Sequence, residues 1–417
     1  MKILYVSYDG MTDQLGQSQV IPYINELIKE GHEIYLISCE KKKPKSHEYI
    51  NILELLRQSR IKWFPLKYTS KPPIISTLID LHNINLTASK IIKEHGIDVI
   101  HCRSYISALC GLKMKKKYGI QFIFDMRGFW ADERIDGKIW DIKNPIFKLV
   151  YSYFKKKEKL FFENSDYIIS LTDNAKEEIL KWNLSGQPLP IEVIPCCADM
   201  ELFTKSNVDE IKKENIRKKL NITENDFVLS YLGSIGTWYM LDEMLDFFNL
   251  LLKKKKNAKF LFITSDSPEF ILESAINKGI PVDRLVIQKA SRNEVPIFLS
   301  LSQISIFFIK PVFSKKASSP TKMGEIMGMG IPIICNSGVG DVDKILSDSN
   351  AGLLVNSFSD EEYSLVIEKM DALLIQDKGK IRKLAEKYYS LKDGAERYSN
   401  VYKKLTRDKE QGKSGNQ

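Results

Sequence analysis

The sequence lacks the features of several large protein classes. Its 417 residues contain no apolar run close to the roughly 18 positions that a membrane-spanning helix requires. The N-terminal stretch MKILYVSYDG turns polar too early for a secretory signal peptide, and we expect it to form a buried strand. These absences predict a cytoplasmic protein rather than an integral membrane or secreted one.

Cysteine is also scarce and shows no motif spacing. The six cysteines include no Cys-x-x-Cys pair, so neither a zinc framework nor a disulfide framework is expected, and a reducing compartment is the simpler interpretation. Most of them lie within apolar, strand-like runs. The adjacent Cys196 and Cys197 are interpreted as core or loop residues, with a metal or redox role as the alternative.

The common catalytic and nucleic-acid-binding motifs are missing too. There is no Ser-His-Asp spacing, no His-Glu-x-x-His helix and no Walker loop. Since there is no zinc finger, RNP-like aromatic motif or single basic recognition helix, no nucleic acid is expected as a partner. The one Asp-x-Asp run, Asp341–Asp343, lies in a glycine-rich connection and is interpreted as a helix cap, so we predict no metal site.

What the sequence has in excess is lysine. The net charge is +9, and lysines cluster at residues 41–45, 113–117, 155–159 and 253–256. Solvated helix ends and loops would explain these clusters. Alternatively, because the first three clusters belong to the N-terminal half, they predict a salt-sensitive attraction of that half to an anionic membrane surface, which would make the protein peripheral at the inner membrane face.

Strand-like and helix-like segments alternate along the chain, which predicts parallel sheets covered by helices on both faces. The pattern starts with KILYVSY and restarts with LNITENDFVLSYLGSIG, so we predict two α/β, Rossmann-like doubly wound domains facing an interdomain cleft. The predicted domains are residues 1–200 and 201–375. Residues 376–406 are predicted to form helices that pack back toward the first domain, and residues 407–417 to form a disordered tail.

The first candidate site is the turn DGMTDQLGQSQ, which links the first strand to the first helix. Gly10 and Gly16 permit a close approach of the backbone, and the start of the helix favours an anion or sugar hydroxyls. The turn, and Gly16 within it, is therefore predicted to contact a ligand. An ordinary strand-to-helix turn is the alternative.

Charged residues at the ends of two later strands form a second candidate site. Arg103 follows the strand DVIHC, and Asp125 and Arg127 lie in FIFDMRG, just before Trp130. Because these positions face the ligand-binding edge of a doubly wound sheet, Arg103, Asp125 and Trp130 are predicted to contact an acceptor. An internal ion pair between Asp125 and Arg127 is the alternative, and His101 is interpreted as a packed strand residue.

The second half carries the most informative stretch, SSPTKMGEIMGMGIPII. Pro320 suits the first position of a helix, which makes Ser319 the expected N-cap. The free N–H groups of such a helix start attract an anion, Lys322 adds a full charge beside them, and Glu325 lies one turn further along. A nucleoside diphosphate requires this combination, and a capped core helix is the alternative. The residues predicted to bind its phosphate oxygens are small hydroxyl residues: Ser318, Ser319 and Thr321.

In this order the pieces resemble the glycosyltransferase family 4 group, whose fold is GT-B. The matching stretches are spread over nearly the whole chain: KEGHEIYLIS, IDVIHCRS, SDYIISLTDNAKEEI, IEVIPCCADMELF, YLGSIG and GEIMGMGIPIICNSGVGDVDKIL. Each stretch is degenerate alone, but their order and spacing are typical of the family.

The resemblance implies roles for single residues. A glutamate at the position of Glu325 holds the ribose hydroxyls of the donor in that family, and the adjoining helix start faces the diphosphate. Gly233 and Ser234, in YLGSIG, are predicted to contact the donor, and so is Gly16 in the first turn. The position of the common catalytic histidine is occupied by Arg127, so Arg127, Lys322 and Glu325 are the predicted catalytic residues.

The chain also departs from the family pattern. A second glutamate usually stands eight positions before Glu325, where this chain has Ala317. An arginine and a lysine usually follow the glycine of YLGSIG, where this chain has Ser234 and, close to the second place, Tyr239. We therefore predict that Lys322, at the neighbouring helix start, supplies the missing charge for the phosphates.

Together these features predict a retaining hexosyl- or N-acetylhexosaminyltransferase. It would move a sugar from a nucleotide diphosphate sugar to a saccharide or lipid-linked acceptor in cell-surface glycan biosynthesis. No cofactor is expected beyond the donor substrate, because a protein cation can stabilise the leaving diphosphate. The alternatives are a nucleotide-sugar 2-epimerase of the GT-B fold and a non-catalytic GT-B protein that binds glycans or scaffolds other transferases.

Overall fold

The structure is a computed structural model that describes residues 1–44, 46–184, 188–347 and 350–414. The chain divides into two compact units. The first unit joins Met1–Pro195 to the C-terminal segment that begins at Leu391, and the second unit is Cys196–Ser390. The first boundary therefore lies slightly before the predicted residue 200, and the second unit continues beyond the predicted residue 375.

The first unit is built on a parallel sheet of seven strands in the order β3-β2-β1-β4-β5-β6-β7. In chain order these strands are β1 (Lys2–Ser7), β2 (Glu33–Glu40), β3 (Lys62–Lys67), β4 (Val99–Arg103), β5 (Gln121–Asp125), β6 (Tyr167–Ser170) and β7 (Ile191–Val193). Most residues of the central strands are buried, which explains why these segments are nearly continuous apolar runs rather than alternating patterns.

Helices cover this sheet. In chain order they are α1 (Gln14–Gln19), α2 (Ile21–Lys29), α3 (His47–Gln58), α4 (Ile75–His95), α5 (Ser104–Tyr118), α6 (Trp130–Asp136), α7 (Pro145–Asn164) and α8 (Asp173–Lys181). The start of α7 follows directly from its sequence, because Pro145 occupies the first turn and the Asn144 side chain accepts the N–H of Ile146.

The second unit contains a parallel sheet of six strands in the order β10-β9-β8-β11-β12-β13. The strands are β8 (Phe227–Leu232), β9 (Ala258–Ile263), β10 (Leu285–Gln288), β11 (Ile304–Phe307), β12 (Ile333–Asn336) and β13 (Gly352–Val355). The helices are α9 (Glu210–Lys219), α10 (Leu241–Lys254), α11 (Pro268–Asn277), α12 (Val295–Leu299), α13 (Thr321–Gly328), α14 (Val342–Ser347), α15 (Asp360–Leu374) and α16 (Lys378–Tyr389).

Both sheets wind in the same way. In each of them the first strand lies centrally, and the strand order reverses beside it, between β1 and β4 and between β8 and β11. Open α/β sheets bind ligands beyond the carboxyl ends of the strands at such a switch point. The predicted architecture of two Rossmann-like α/β units is therefore confirmed, and the turns after β1 and β8 lie at the expected ligand edge of their own sheets.

The C-terminal helices divide between the units. Helix α16 packs against α13 in the second unit, whereas α17 (Leu391–Ser414) packs against α2 in the first. The helix continues through residues 407–414, so this part of the predicted disordered tail is helical, because it is rich in helix-favouring Lys, Glu, Arg and Gln. Residues 415–417 of that predicted tail lie outside the described residues.

Two predictions about the whole chain can be compared with the structure here. All six cysteines are buried, which fits their interpretation as core or loop residues. Within the described parts of the chain, no helix combines the length and the apolar character that a bilayer crossing demands.

Candidate functional site

In the second unit, the turn after β8 lies directly against Lys322 of α13. Gly233 follows the strand with a φ of +112°, a backbone region that other residues rarely adopt. A Cβ atom at this glycine would lie only 3.0 Å from Nζ of Lys322. Glycine thus allows the turn to rest on the lysine ammonium.

The side chain of Lys322 is enclosed by aromatic residues. The residue is 7% exposed, and its Nζ donates a hydrogen bond of 3.0 Å to Oη of Tyr231. The same nitrogen lies 3.6 Å from the ring centroid of Tyr239 and 4.2 Å from that of Tyr231. Tyr231 in turn donates to the carbonyl oxygen of Ser234 at 2.6 Å. The lysine is therefore coupled to the turn through a short relay.

Burial shifts the pKa values of the titratable side chains in this cluster. It lowers the pKa of Lys322 well below the ordinary value, although the carboxylates of Glu325 and Asp266 oppose the shift. Burial likewise raises the pKa of Tyr239 to about 12, so its phenol is neutral and offers the ring face to the ammonium. A negatively charged ligand beside this lysine would favour the protonated form.

Asp266, which follows β9, anchors the same turn from the other side. Its carboxylate accepts the backbone N–H of Ile235 and lies 3.2 Å from the hydroxyl of Thr264. The Ser234 side chain is exposed at the tip of the turn. The predicted donor contacts of Gly233 and Ser234 remain predictions, and the structure gives the turn a fixed geometry for them.

Helix α13 begins one residue later than its sequence predicted. Pro320 is extended, with ψ of 110°, and occupies the N-cap position without a side-chain hydrogen bond, so Thr321 is the first helical residue. The prediction of Ser319 as the N-cap is wrong, because its hydroxyl accepts the backbone N–H of Cys196 at 3.1 Å. The residues predicted to bind phosphate are all half-buried at this helix start: Ser318, Ser319 and Thr321.

Glu325 is buried on the same helix and forms an ion pair. Its Oε1 accepts a hydrogen bond of 2.9 Å from Nη1 of Arg292, whose guanidinium also lies 5.3 Å from the ring centroid of Phe203. Arg292 comes from the connection between β10 and α12. Its role is not predictable from the sequence, because the stretch KASRNE has no pattern that distinguishes this arginine from a solvated one.

The start of α13 is held firmly within its unit. A Cβ atom at Gly324 would lie 2.8 Å from the Cβ of Tyr389 on α16, so the two helices approach closely. Arg382 fixes the surrounding backbone by donating to three carbonyl oxygens, those of Met200, Phe203 and Gly328. Ala317, where the family resemblance leads us to expect a glutamate, is fully buried just before this helix start.

In the first unit, Asp125 ends β5 at the centre of a buried polar cluster. Its Oδ2 accepts from Tyr398 at 3.0 Å and lies 3.4 Å from Nε2 of His101, while its Oδ1 lies 3.7 Å from Nη1 of Arg127. Burial alone would raise the pKa of this carboxyl, but Arg127, His101 and Arg103 outweigh it and lower the pKa overall. The internal pair with Arg127 is therefore present, and complete burial disfavours the predicted contact of Asp125 with an acceptor.

His101 is a packed strand residue, as the sequence indicated. It is 1% exposed, and its Nδ1 lies 2.7 Å from Oη of Tyr402. Burial lowers the pKa of His101, although the neighbouring Asp125 opposes this shift. The lowered pKa keeps the imidazole neutral. Both tyrosines of the cluster, Tyr398 and Tyr402, come from α17, a contribution that no local pattern in the sequence indicates.

Three other predicted residues lie near the same edge of the first sheet. Arg127 has a φ of +56°, unusual for a residue other than glycine, and such strained positions cluster at functional sites. Arg103 donates to Asp9 at 2.5 Å, so its guanidinium already serves an internal pair. Trp130 is half-buried and stacks on Tyr105 with ring centroids 5.8 Å apart.

The turn after β1 is supported by a carboxylate. Glu40 accepts the backbone N–H groups of Met11 and Thr12 at 2.7 and 3.1 Å. Gly16 is required for packing, because a Cβ atom there would lie 2.2 Å from the carbonyl oxygen of Gly10. The N–H groups of Met11 and Thr12 therefore already have hydrogen-bond partners within the protein. The contact of Gly16 with the donor remains a prediction.

Comparison with known families gives matches along most of the chain. The family described as Glycosyltransferase Family 4 matches residues 19–202, and the family described as Glycosyl transferases group 1 matches residues 212–389. No curated protein sequence matches the chain significantly. The first matched segment contains β2 to β7, and the second contains β8 to β13.

Several solved structures share the fold at low sequence identity. Sucrose-phosphate synthase from Thermosynechococcus elongatus has a TM-score of 0.75 and 14% identity, covering 98% of this chain and 100% of that one. A glycosyltransferase from Rickettsia africae has a TM-score of 0.70 and 17% identity, with coverages of 97% and 98%. HepE from Anabaena, solved with UDP and glucose, has a TM-score of 0.70 and 11% identity, with coverages of 97% and 99%.

The family matches and the two doubly wound sheets agree with each other. The chain belongs to the glycosyltransferase family 4 group and is a glycosyltransferase of the GT-B type.

Proposed function

We propose that the protein transfers a sugar, with retention of anomeric configuration, from a nucleotide diphosphate sugar to a saccharide or lipid-linked acceptor in cell-surface glycan biosynthesis. Family membership supports the transfer reaction. The description of HepE with UDP and glucose supports a nucleotide sugar as the donor. The arrangement of Lys322 and Glu325 on α13 supports the second unit as the donor-binding half.

The observation that carries this proposal is the buried ammonium of Lys322 beneath the Gly233 turn. The family resemblance leads us to expect an arginine and a lysine after this turn. This chain has Ser234 and, close to the second place, Tyr239, whose ring packs on the Lys322 amine. Negative charge grows on the diphosphate as the bond to the sugar breaks. A cation held in a site of low dielectric stabilises that charge without having to reorganise.

Glu325 and Arg292 are proposed to act together on the nucleoside. Arg292 binds Oε1 of the carboxylate, which fixes the orientation of Oε2 for the ribose hydroxyls. Charge-assisted bonds of this kind are short and directional. Arg292 is thus a positioning residue for Glu325.

In the first unit, Arg127 is proposed to contact the reacting groups. Asp125, Tyr398 and His101 are proposed as positioning residues, because Asp125 pairs with the Arg127 guanidinium and the other two side chains contact Asp125. Trp130 and Arg103 are proposed to line the acceptor side of the same edge. We propose a cytoplasmic location and no cofactor beyond the donor.

A thermal-shift screen of sugar nucleotides and free nucleoside diphosphates tests the donor half of the proposal. A ligand that binds the folded protein raises the melting temperature by mass action. We expect stabilisation by one nucleotide class, lost in Glu325→Gln. No stabilisation by any sugar nucleotide would contradict the donor site and favour a glycan-binding or scaffolding protein.

Product analysis tests the reaction itself. The stabilising sugar nucleotide is incubated with the protein in the absence and presence of saccharide and lipid-linked acceptors. Sugar transfer that requires an acceptor is the expected result. Formation of a new sugar nucleotide without any acceptor would show a 2-epimerase instead.

A further inference from the structure

Helix α7 presents a stripe of exposed apolar side chains. Ile146 and Leu149 are 58% and 72% exposed, and Tyr153 and Leu160 continue the series. Their spacings of three, four and seven residues place all four on one face of the helix.

The opposite face of α7 is fixed to the core of the first unit. Phe154, Phe161 and Phe162 are buried, and they match the same helical period. Lys155 also points inward, because its Nζ lies 2.9 Å from Asp132 and pairs with Glu158. The apolar stripe therefore faces away from the sheet, and Lys155 does not belong to the surface part of the lysine cluster 155–159.

Lysines border this stripe on both sides. Exposed or half-exposed lysines of α7 are Lys148, Lys156, Lys157 and Lys159. The connection before the helix repeats the composition, because Ile139 and Ile142 are exposed there together with Lys138 and Lys143. The acidic residues on this surface are Asp141 and Glu163, and Glu163 is paired with Lys159 at 3.7 Å.

The charge around the stripe indicates which kind of partner binds it. An apolar stripe bordered by lysines fits an interfacial helix that lies in the plane of an anionic bilayer, with the stripe in the headgroup boundary and the ammonium groups at the phosphates. A second copy of the chain would bring the same positive border, and like charges across an interface are unfavourable.

We propose that this stripe, with the residue 138–143 connection, docks the protein on an anionic membrane surface. Within the first unit, Trp130 links this surface to the Arg127 edge, because its ring lies 4.8 Å from that of Phe154 and 5.3 Å from that of Trp140. Membrane docking would thus bring a lipid-linked acceptor close to the acceptor side. Only this last step rests on the proposed function, since docking needs no sugar nucleotide.

Helix α4 provides a matched control within the same unit. Leu78 and Leu86 are 60% and 59% exposed, so α4 also carries apolar surface. The sequence from Ile75 to Ala88 contains no lysine or arginine. Variants of the two helices therefore distinguish the effect of exposed apolar surface alone from the effect of an apolar stripe bordered by lysines.

The test is cosedimentation of the full-length protein with vesicles of phosphatidylcholine alone and with vesicles containing equal parts of phosphatidylglycerol. The wild type should bind the anionic vesicles, and binding should fall as salt rises. Leu149→Glu/Leu160→Glu should lower the partition coefficient by roughly tenfold or more, because both side chains would leave the headgroup boundary. Leu78→Glu/Leu86→Glu should bind like the wild type, and circular dichroism should show equal folding for both.

Further measurements make the result decisive. Lys148→Gln/Lys156→Gln/Lys159→Gln should lose binding to anionic vesicles while leaving the apolar stripe intact. Absence of wild-type binding, or equal binding by the α7 and α4 variants, would overturn the proposal. A dimer in light scattering that dissociates in Leu149→Glu/Leu160→Glu would also overturn it and would make a second copy the occupant. Because no donor is present in these assays, failure of docking leaves the proposed transfer reaction unaffected.

Discussion

The turns after β1 and β8 occupy equivalent places in the two sheets, yet different side chains support them. A carboxylate from the neighbouring strand region binds the backbone in both, Glu40 in the first unit and Asp266 in the second. The second turn also rests on the buried amine of Lys322. In the first turn, the carboxylate takes two consecutive N–H groups.

This difference shows that the fold supplies the position of a ligand turn but not its chemistry. Both turns follow the central first strand and lie at the switch point of their sheets. The first is stabilised as an internal structure by Glu40. The second is suited to an anion, because the buried lysine gains most when negative charge comes close to it.

The largest expected effect is on turnover in Lys322→Met. Loss of one preorganised donor to a developing charge typically costs on the order of a hundredfold in rate, and we expect a smaller change in donor affinity. Steady-state kinetics would measure both quantities. The exposed Lys316→Met is the matched control. Near wild-type turnover in Lys322→Met, combined with loss of activity in Lys310→Met or Arg127→Met, would place the phosphate charge elsewhere.

A somewhat smaller effect is expected for Glu325→Gln, which keeps the shape of the side chain and removes its charge. Charge-assisted hydrogen bonds contribute roughly 1.5–3 kcal/mol, so donor binding measured by calorimetry should weaken by about that amount. Arg292→Ala should weaken it in the same direction, because the carboxylate loses its fixed orientation. Donor affinity equal to wild type in Glu325→Gln would rule out the ribose contact.

In the first unit, Glu40→Gln should lower the stability of the fold and leave turnover largely unchanged. The buried carboxylate accepts hydrogen bonds from Met11 and Thr12, and an unsatisfied buried group costs about 1–3 kcal/mol. Urea denaturation would measure this loss. Glu33→Gln, at the partly exposed start of the same strand, should change stability by less than about 1 kcal/mol. Equal stability of the two variants would show that the carboxylate does not hold the turn.

The smallest expected effect comes from single methyl groups in the second turn. Gly233→Ala places a Cβ atom 3.0 Å from the Lys322 ammonium at a φ of +112°, which should cost roughly 1–2 kcal/mol of stability and weaken donor binding. Gly236→Ala meets no atom within 4 Å and should be neutral. Thermal unfolding with and without nucleotide compares the two. If Gly236→Ala is the more harmful change, the turn does not rest on the lysine as described.

The fold was largely predictable from the sequence, because apolar runs alternate with helical patterns and restart once. The strand that ends at Arg103 and the helix that begins at Pro145 are both predictable from local patterns. The assignment of each C-terminal helix to one of the two units was harder to predict. Whether a helix packs on α13 or on α2 depends on tertiary contacts such as those of Arg382 and Tyr398, which leave no local signal.

The candidate site was predictable only in part. Lys322 and Glu325 stand in a recognisable motif, but their partners Tyr231, Tyr239 and Arg292 are distant in sequence. Ser319 was misassigned as a cap because propensity alone ignores the N–H of Cys196 that it accepts. The sequence also did not predict that Asp125 is completely buried. This burial changes the role that we propose for Asp125 from contacting the acceptor to positioning Arg127.

The central claim is that the donor diphosphate binds against a lysine whose pKa is lowered by burial. Above its lowered pKa, Lys322 is neutral in the free protein, and a bound diphosphate would raise that pKa again, so binding should take up a proton. Calorimetry in two buffers of different ionisation enthalpy, with the nucleoside diphosphate selected by the thermal-shift screen, measures this uptake directly. We predict that uptake grows and affinity falls as the pH rises through the lowered pKa of Lys322 in the wild type, and that Lys322→Met shows neither change. Absence of proton uptake in the wild type, together with unchanged binding by Lys322→Met, would show that the diphosphate does not bind against Lys322.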